Sequence, residues 1–175
     1  QSQTDMARAV ADAIHSSGTL LAEAGTGTGK TFAYLVPALL WGGKVIISTG
    51  TKNLQDQLFL RDIPIVRQAM NAPVTVALLK GRANYLCHFH LERTQQNGRL
   101  TSRDDVGYLR DIARFIKTTS SGDKAEFSRV PENALIWNLV TSTRDNCLGA
   151  ECTYYQDCFV MKARKEAQQA DVVVV

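Results

Sequence analysis

The chain has 175 residues, 45% of them apolar, and a formal net charge of +3, which fits one globular domain or one domain carrying an insertion. No apolar run approaches the ~20 residues a bilayer span requires, and residues 1–18 lack the charged-then-apolar pattern of a signal peptide, so no membrane partner is expected and the expected compartment is cytoplasmic. The charge is too mild to argue for nucleic acid by itself. Cations are frequent between Lys80 and Lys165 (among them Arg82, Arg93, Arg99, Arg103, Arg110, Arg114, Arg129 and Arg144), but a solvated surface has the same look.

In chain order, Met6, Ala9, Val10, Ala13 and Ile14 form a stripe at helical spacing within residues 1–17. Gln3 stands about 20 residues before the glycine loop described next. Its side-chain amide carries a donor and an acceptor side by side, so it can pair with the N6 and N7 edge of adenine. The short apolar run Thr19-Leu20-Leu21 then reads as a strand. It leads into Ala22-Glu-Ala-Gly-Thr-Gly-Thr-Gly-Lys-Thr31, and Phe32 to Leu40 reads as a helix.

Strand, glycine loop, helix is the setting of a P-loop, whose pattern is G-x-x-x-x-G-K-[ST]. Ala24 holds the first position in place of Gly, and Gly25 and Gly27 supply the flexibility. The nucleotide-contacting set is therefore Gln3 with Ala24, Gly25, Thr26, Gly27, Thr28, Gly29, Lys30 and Thr31. Backbone N–H groups must turn inward at phosphate oxygens, and glycines allow that approach. Lys30 sets an ammonium against the β- and γ-phosphates, and the Thr31 hydroxyl ligates Mg²⁺. These last two are the catalytic candidates, with ATP and Mg²⁺ as ligands.

Pro37 is expected to kink the helix over 30–41 or limit its regularity, and Gly42-Gly43 closes it. Lys44 to Thr49 reads as a buried strand, Asn53 to Arg61 as a helix and Val74 to Leu79 as a further strand. Alternating elements of this kind predict an α/β fold, a parallel sheet with flanking helices. After Leu79 the pattern changes. Residues 94–105 are polar, 118–125 read as a loop, and Val106 to Ile116 has helical spacing. Residues 159–170 read as a helix leading to Asp171-Val-Val-Val-Val175, which has the composition of a buried parallel strand. The expected organisation is 1–79 as the first part of one domain, 80–165 as an insertion and 166–175 as the return. With no Met at position 1 and an apolar run at position 175, the chain reads as part of a longer protein.

Cys87, Cys147, Cys152 and Cys158 all fall in the insertion, the last three spaced C-x4-C-x5-C. Four thiols gathered there point to a metal, since disulfides are not the default in the cytoplasm. Zinc sites favour paired short spacings. An iron–sulfur cluster accepts three close cysteines and a remote one, so spacing leans toward the cluster without excluding zinc. His88 and His90 beside Cys87 are left outside the ligand set.

Together these motifs resemble the iron–sulfur DNA helicases of superfamily 2, the XPD/DinG type, and most closely its bacterial YoaA-like branch. The resemblance rests on Glu23 to Thr31, Ile47-Ser-Thr-Gly-Thr51 with Leu54-Gln-Asp-Gln-Leu58, Leu79 to Cys87, and Asp145-Asn-Cys147 through Cys158. It spans nearly the whole chain and is weakest over 92–135. It implies a partial RecA-like P-loop NTPase domain with an inserted, mostly helical 4Fe–4S domain held by the four cysteines. It implies ATP-driven 5′ to 3′ movement on single-stranded or forked DNA, in DNA repair or replication, with replication or repair proteins as partners. Gln3 matches the family's adenine-reading glutamine, and the 48–58 stretch, with Thr49, Thr51 and Lys52, matches its DNA-backbone motif. Lys80 and Arg82 are expected on phosphates beside the cluster. Tyr85 is expected either to stack on a base or to pack the insertion against the sheet. One departure stands out: no Asp-Glu pair occurs anywhere in the sequence, so the family's acidic Mg²⁺ motif is absent and the piece alone is expected not to hydrolyse ATP. Two other readings remain open, a zinc-bearing P-loop NTPase without a nucleic-acid role and a redox-sensing DNA-binding module with a vestigial P-loop.

Overall fold

The computed structural model describes residues 2–25, 27–98, 100 and 102–175. It divides into two compact units, one formed by 1–79 with 166–175 and the other by 80–165.

The first unit is built on a three-stranded parallel sheet of β1 (Val45–Ile47), β2 (Val76–Leu78) and β3 (Val172–Val174), in the order β1-β3-β2. The last strand in sequence is thus the central one, with Val173 opposite Ile46 on one side and Ala77 on the other. An all-valine strand suits that place, because β-branched side chains pack on a pleated surface and a central strand meets apolar neighbours on both faces. Side chains alternate across it. Val172 and Val174 join Leu35, Leu39, Ile47, Leu58, Ile63 and Val66 in one core, while Val173 packs with Ala77, Ala167 and Ala170 on the opposite face.

Helix α1 (Ser2–His15) precedes the glycine loop and α2 (Lys30–Trp41) follows it. α2 contains Pro37 within its span and ends on Gly42 in the left-handed conformation at φ 77°, a common stop. The strand expected over 19–21 is not formed. A strand takes its hydrogen bonds from a neighbour, and among the described residues none pairs with this run; Leu21 is 98% exposed. The helix expected to end at Arg61 goes further. α3 (Lys52–Gln57) passes into a π-helical turn (Leu58–Asp62) and then α4 (Ile63–Met70). Pro64 does not stop it; it lies directly after the π-helical turn, where the regular hydrogen-bond ladder is already interrupted.

The second unit contains α5 (His88–Asn97), α6 (Arg103–Phe115), the short α7 (Trp137–Val140) and the first part of α8 (Phe159–Gln169). Single antiparallel bridges tie Tyr85 to Asp123 and Leu86 to Thr141. α6 starts on a reciprocal cap: the Ser102 hydroxyl accepts from the Asp105 N–H, and the Asp105 carboxylate accepts from the Ser102 N–H.

Candidate functional site

The glycine loop is shaped by backbone conformation. Gly27 and Gly29 adopt φ of 79° and 77°, which side-chain-bearing residues rarely enter. At Gly29 space is also closed, since a Cβ there would lie 2.6 Å from the Gln3 amide nitrogen. That amide donates to the Gly29 carbonyl at 3.2 Å, so Gln3 is tied to the loop. Gly29 caps α2 without a side chain, leaving the first N–H groups and the positive end of the helix dipole directed at the loop. The Thr28 hydroxyl donates to Gly25 O at 2.9 Å. The Lys30 ammonium donates to the carbonyls of Ala24 and Gly25, the latter at 2.7 Å. Neutral carbonyls are weaker partners than phosphate oxygens, so this ammonium has a favourable exchange open to it. Thr31 opens α2 beside Lys30. Thr26 lies outside the described residues. A cavity of ≈ 420 Å³ lies between α1 and the loop, with Gln3, Met6, Ala9, Glu23, Ala24 and Thr28 among its walls. Its size falls in the range of small-molecule pockets.

At the carboxyl edge of the same sheet the chain leaves β1 and turns into α3. Thr49 N–H donates to Val175 O at 2.9 Å, and the Thr51 side chain caps α3 by accepting from Leu54 N–H at 3.3 Å. Thr51 and Lys52 are exposed and Thr49 is half-buried. Gln55 is buried and donates to Leu79 O at 3.2 Å, which ties the start of α3 to the end of β2. Asp171 sits at the opposite edge, where its carboxylate accepts from the Thr75 N–H and hydroxyl, both at 2.7 Å. Those bonds hold its carboxyl below the usual carboxylate range.

In the second unit all four cysteines line one cavity of ≈ 80 Å³. Each is a free, half-buried thiol. Cys87 stands just before α5, Cys158 just before α8, and Cys147 and Cys152 flank the 3₁₀ turn Gly149–Glu151. Burial pushes the Cys87 thiol up; the N–H groups of His90 and Phe89 at the start of α5 oppose that, and the nearby Cys152 and Cys158 add to it. Among the described residues no three His, Cys, Asp or Glu side chains converge on a single ion position. His88 lies between Tyr154 and Phe159, with ring centroids at 5.5 and 5.0 Å.

Two of the expected DNA contacts in this unit are withdrawn from solvent. Lys80 is buried, its ammonium 2.7 Å from the Asp123 carboxylate. Tyr85 is 4% exposed, and its hydroxyl accepts from the Lys80 N–H at 2.9 Å. A cation and ring so enclosed cannot meet a phosphate or base without opening the unit, so the expectation is corrected for both. Tyr85 packs inside its own unit. Arg82 is half-buried and belongs to the wall of the thiol cavity.

With this geometry in view, comparison with known proteins adds a second line. The DEAD/DEAH box helicase family profile matches residues 4–87, which include the loop, α2 and the stretch from β1 to β2. The chain is 52% identical over 176 residues to the ATP-dependent DNA helicase YoaA of Escherichia coli, and 49% identical over 173 residues to that of Haemophilus influenzae. Each alignment covers 99% of this chain and 27% of the relative. The ATP-dependent helicase DinG of Mycobacterium tuberculosis is 37% identical over 198 residues, covering 98% of this chain and 29% of the relative. The chain is thus similar to DEAD/DEAH box helicases over residues 4–87 and to the YoaA and DinG helicases over nearly its whole length. It spans about a quarter of the length of the curated relatives it matches.

Several residues of consequence were silent in the sequence. Asp62 is 2% exposed and accepts from Gln57 Nε2 and Arg61 Nε, both at 2.9 Å. Nothing in Leu-Arg-Asp-Ile-Pro marks that aspartate as buried. Lys44 donates to the carbonyls of Ala167 and Gln168 at 3.0 and 2.7 Å, capping the C-terminal end of α8, where a cation is favoured. A long-range cap of this kind leaves no local signature.

Proposed function

We propose that the protein is an ATP-dependent DNA helicase that moves 5′ to 3′ on single-stranded or forked DNA. In this reading residues 1–79 and 166–175 belong to its first RecA-like motor domain, and 80–165 form a 4Fe–4S domain. The observation that carries the reading is the glycine loop: two left-handed glycines, an uncapped helix start and a lysine ammonium resting on neutral carbonyls, within the stretch that the helicase profile matches.

Lys30 binds the β- and γ-phosphates and offsets charge that develops as the terminal phosphoryl leaves. Thr31 would present a hydroxyl lone pair to Mg²⁺, which would supply positive charge to offset that of the phosphates. The loop N–H groups of Gly25 to Gly29 cradle the phosphates, and Gln3 reads the adenine edge. Thr49, Thr51 and Lys52 meet the DNA backbone, with Arg82 a further cation.

The residues of the second unit fit an iron–sulfur cluster. Four half-buried thiols on one cavity form a complete thiolate set. Three close cysteines with a remote fourth suit a cluster better than the paired short spacings of structural zinc sites. Cys87, Cys147, Cys152 and Cys158 would hold the cluster, which supplies folding energy to this unit. The expected setting is the cytoplasm, in DNA repair or replication, alongside proteins of those processes.

The test is strand separation by the purified full-length protein. ATP hydrolysis stimulated by single-stranded DNA, and unwinding of a duplex with a 5′ single-stranded tail, are expected. Hydrolysis indifferent to DNA, or unwinding only from a 3′ tail, overturns the reading.

A further inference from the structure

Cys87 is remote in sequence from the other three thiols, so something other than chain proximity must keep it beside them. Its backbone is fixed to α5, because the Leu91 N–H donates to the Cys87 carbonyl at 2.9 Å, and to α7, because its own N–H donates to the Val140 carbonyl at 2.9 Å. The place of Cys87 therefore follows the place of α5. Three contacts tie α5 to the segment that carries the other thiols. His90 Nε2 donates to the Asn146 carbonyl, next to Cys147, at 3.3 Å. That carbonyl belongs to a closed turn, in which the Thr143 N–H donates to Asn146 Oδ1 at 2.7 Å and the Asn146 N–H donates to the Thr143 hydroxyl at 3.4 Å. The Glu92 carboxylate accepts from the Tyr154 hydroxyl at 2.9 Å. His88 stacks on the same Tyr154 ring and on Phe159, with interplanar angles of 21° and 20°. His88 and Glu92 are four residues apart and share one face of α5, so that face holds Tyr154 by its ring and by its oxygen. Tyr154 stands between Cys152 and Cys158, and Phe159 directly follows Cys158.

Ligands already held at their binding spacing spare the binding step the cost of ordering them, and outer partners that orient ligands govern how tightly a metal group is kept. Resting on the iron–sulfur reading above, we propose that Glu92, Tyr154 and His90 are positioning residues for the cluster: they clamp α5, and with it Cys87, to the segment carrying Cys147, Cys152 and Cys158, and so slow loss of the cluster. None of the three acts as a ligand. The Tyr154 hydroxyl is spent on Glu92 and the His90 Nε2 proton on a backbone carbonyl. The clamp acts on the one ligand that the others cannot hold by sequence alone, which is why both of its hydrogen bonds start from α5 or end on it.

The experiment uses the full-length protein purified without oxygen. Iron and sulfide are measured first, and loss of visible absorbance is then followed after an iron chelator is added. Tyr154→Phe keeps the ring on His88 and removes only the oxygen. It should release iron about three- to tenfold faster than the parent, the range one net hydrogen bond commands, with the helix content by circular dichroism unchanged. Glu92→Ala should match it. Glu92→Gln keeps an acceptor and should stay near the parent rate. Tyr154→Phe combined with Glu92→Ala should be no faster than either change alone, as loss of one shared bond requires. His90→Phe should also quicken release, through the second tie. A parent-like release rate in Tyr154→Phe overturns the proposal, as does release in Glu92→Gln as fast as in Glu92→Ala, or an effect in the pair that is the product of the two singles. A parent protein without iron and sulfide overturns the cluster reading, and the proposal with it, so the two failures are told apart.

Discussion

Lys80 and Asp123 form an ion pair at 2.7 Å whose side chains are 4% and 11% exposed, and removing one partner is a direct test of the second unit's construction. Asp123→Asn removes the carboxylate charge and strands the Lys80 ammonium. Breaking a buried pair in this way costs about 3–5 kcal/mol, because the remaining charge stays desolvated and uncompensated. Replacing both partners together with apolar residues of similar volume, Lys80→Met with Asp123→Leu, avoids that penalty. It still gives up the Asp123 acceptor that holds the Ala125 N–H at 2.9 Å, a loss of about 1–3 kcal/mol for a buried donor. The single change should therefore cost more than the double one. Urea unfolding of parent, single and double variants, followed by circular dichroism, measures the difference. If Asp123→Asn proves neutral while Lys80→Met weakens DNA binding with no loss of stability, then Lys80 works at the surface and the burial argument is wrong.

Lys30→Ala in the full-length protein should lower ATP hydrolysis about a hundredfold or more, as loss of a charge-stabilising group does, while DNA binding measured by fluorescence anisotropy survives. Any one of Cys87→Ser, Cys147→Ser, Cys152→Ser and Cys158→Ser should lower bound iron and sulfide on chemical analysis; full retention in one variant removes that residue from the ligand set. Val174→Ala, at a fully buried place in the central strand, should cost about 2–3 kcal/mol, whereas Ile46→Ala, 67% exposed on β1, should cost about 0.5 kcal/mol or less. Asp171 has its folded pKa depressed by the Thr75 N–H and hydroxyl, so its contribution is complete above the unfolded value and is lost as pH falls through the folded one. Asp171→Asn should accordingly flatten the acid side of the stability profile, read from thermal melts across acid pH.

Legibility in the sequence followed the range of the interaction. The valine run at 172–175 announced a strand buried on both faces, because composition alone carries that signal, and β3 is the centre of the sheet. The glycine loop was readable because its backbone demands particular residues at fixed offsets. The run 19–21 misled because apolar composition does not supply a pairing neighbour. α4 went unread because nothing local shows that the helix continues through a π-helical turn and past Pro64. α5 was missed since His88 to Asn97 is largely polar and shows little apolar periodicity. Lys80 read as a surface cation because its partner, Asp123, is remote in sequence. The cysteines could be counted, but that all four border one cavity is a fact of the folded unit.

The central claim is that the glycine loop powers movement on DNA, and the most direct measurement is unwinding of a 5′-tailed duplex by the full-length protein and its Lys30→Ala variant, with ATP and Mg²⁺ present. The account predicts ATP-dependent strand separation by the parent and none by the variant, with both proteins bound to the DNA. Equal unwinding by the two proteins would contradict it.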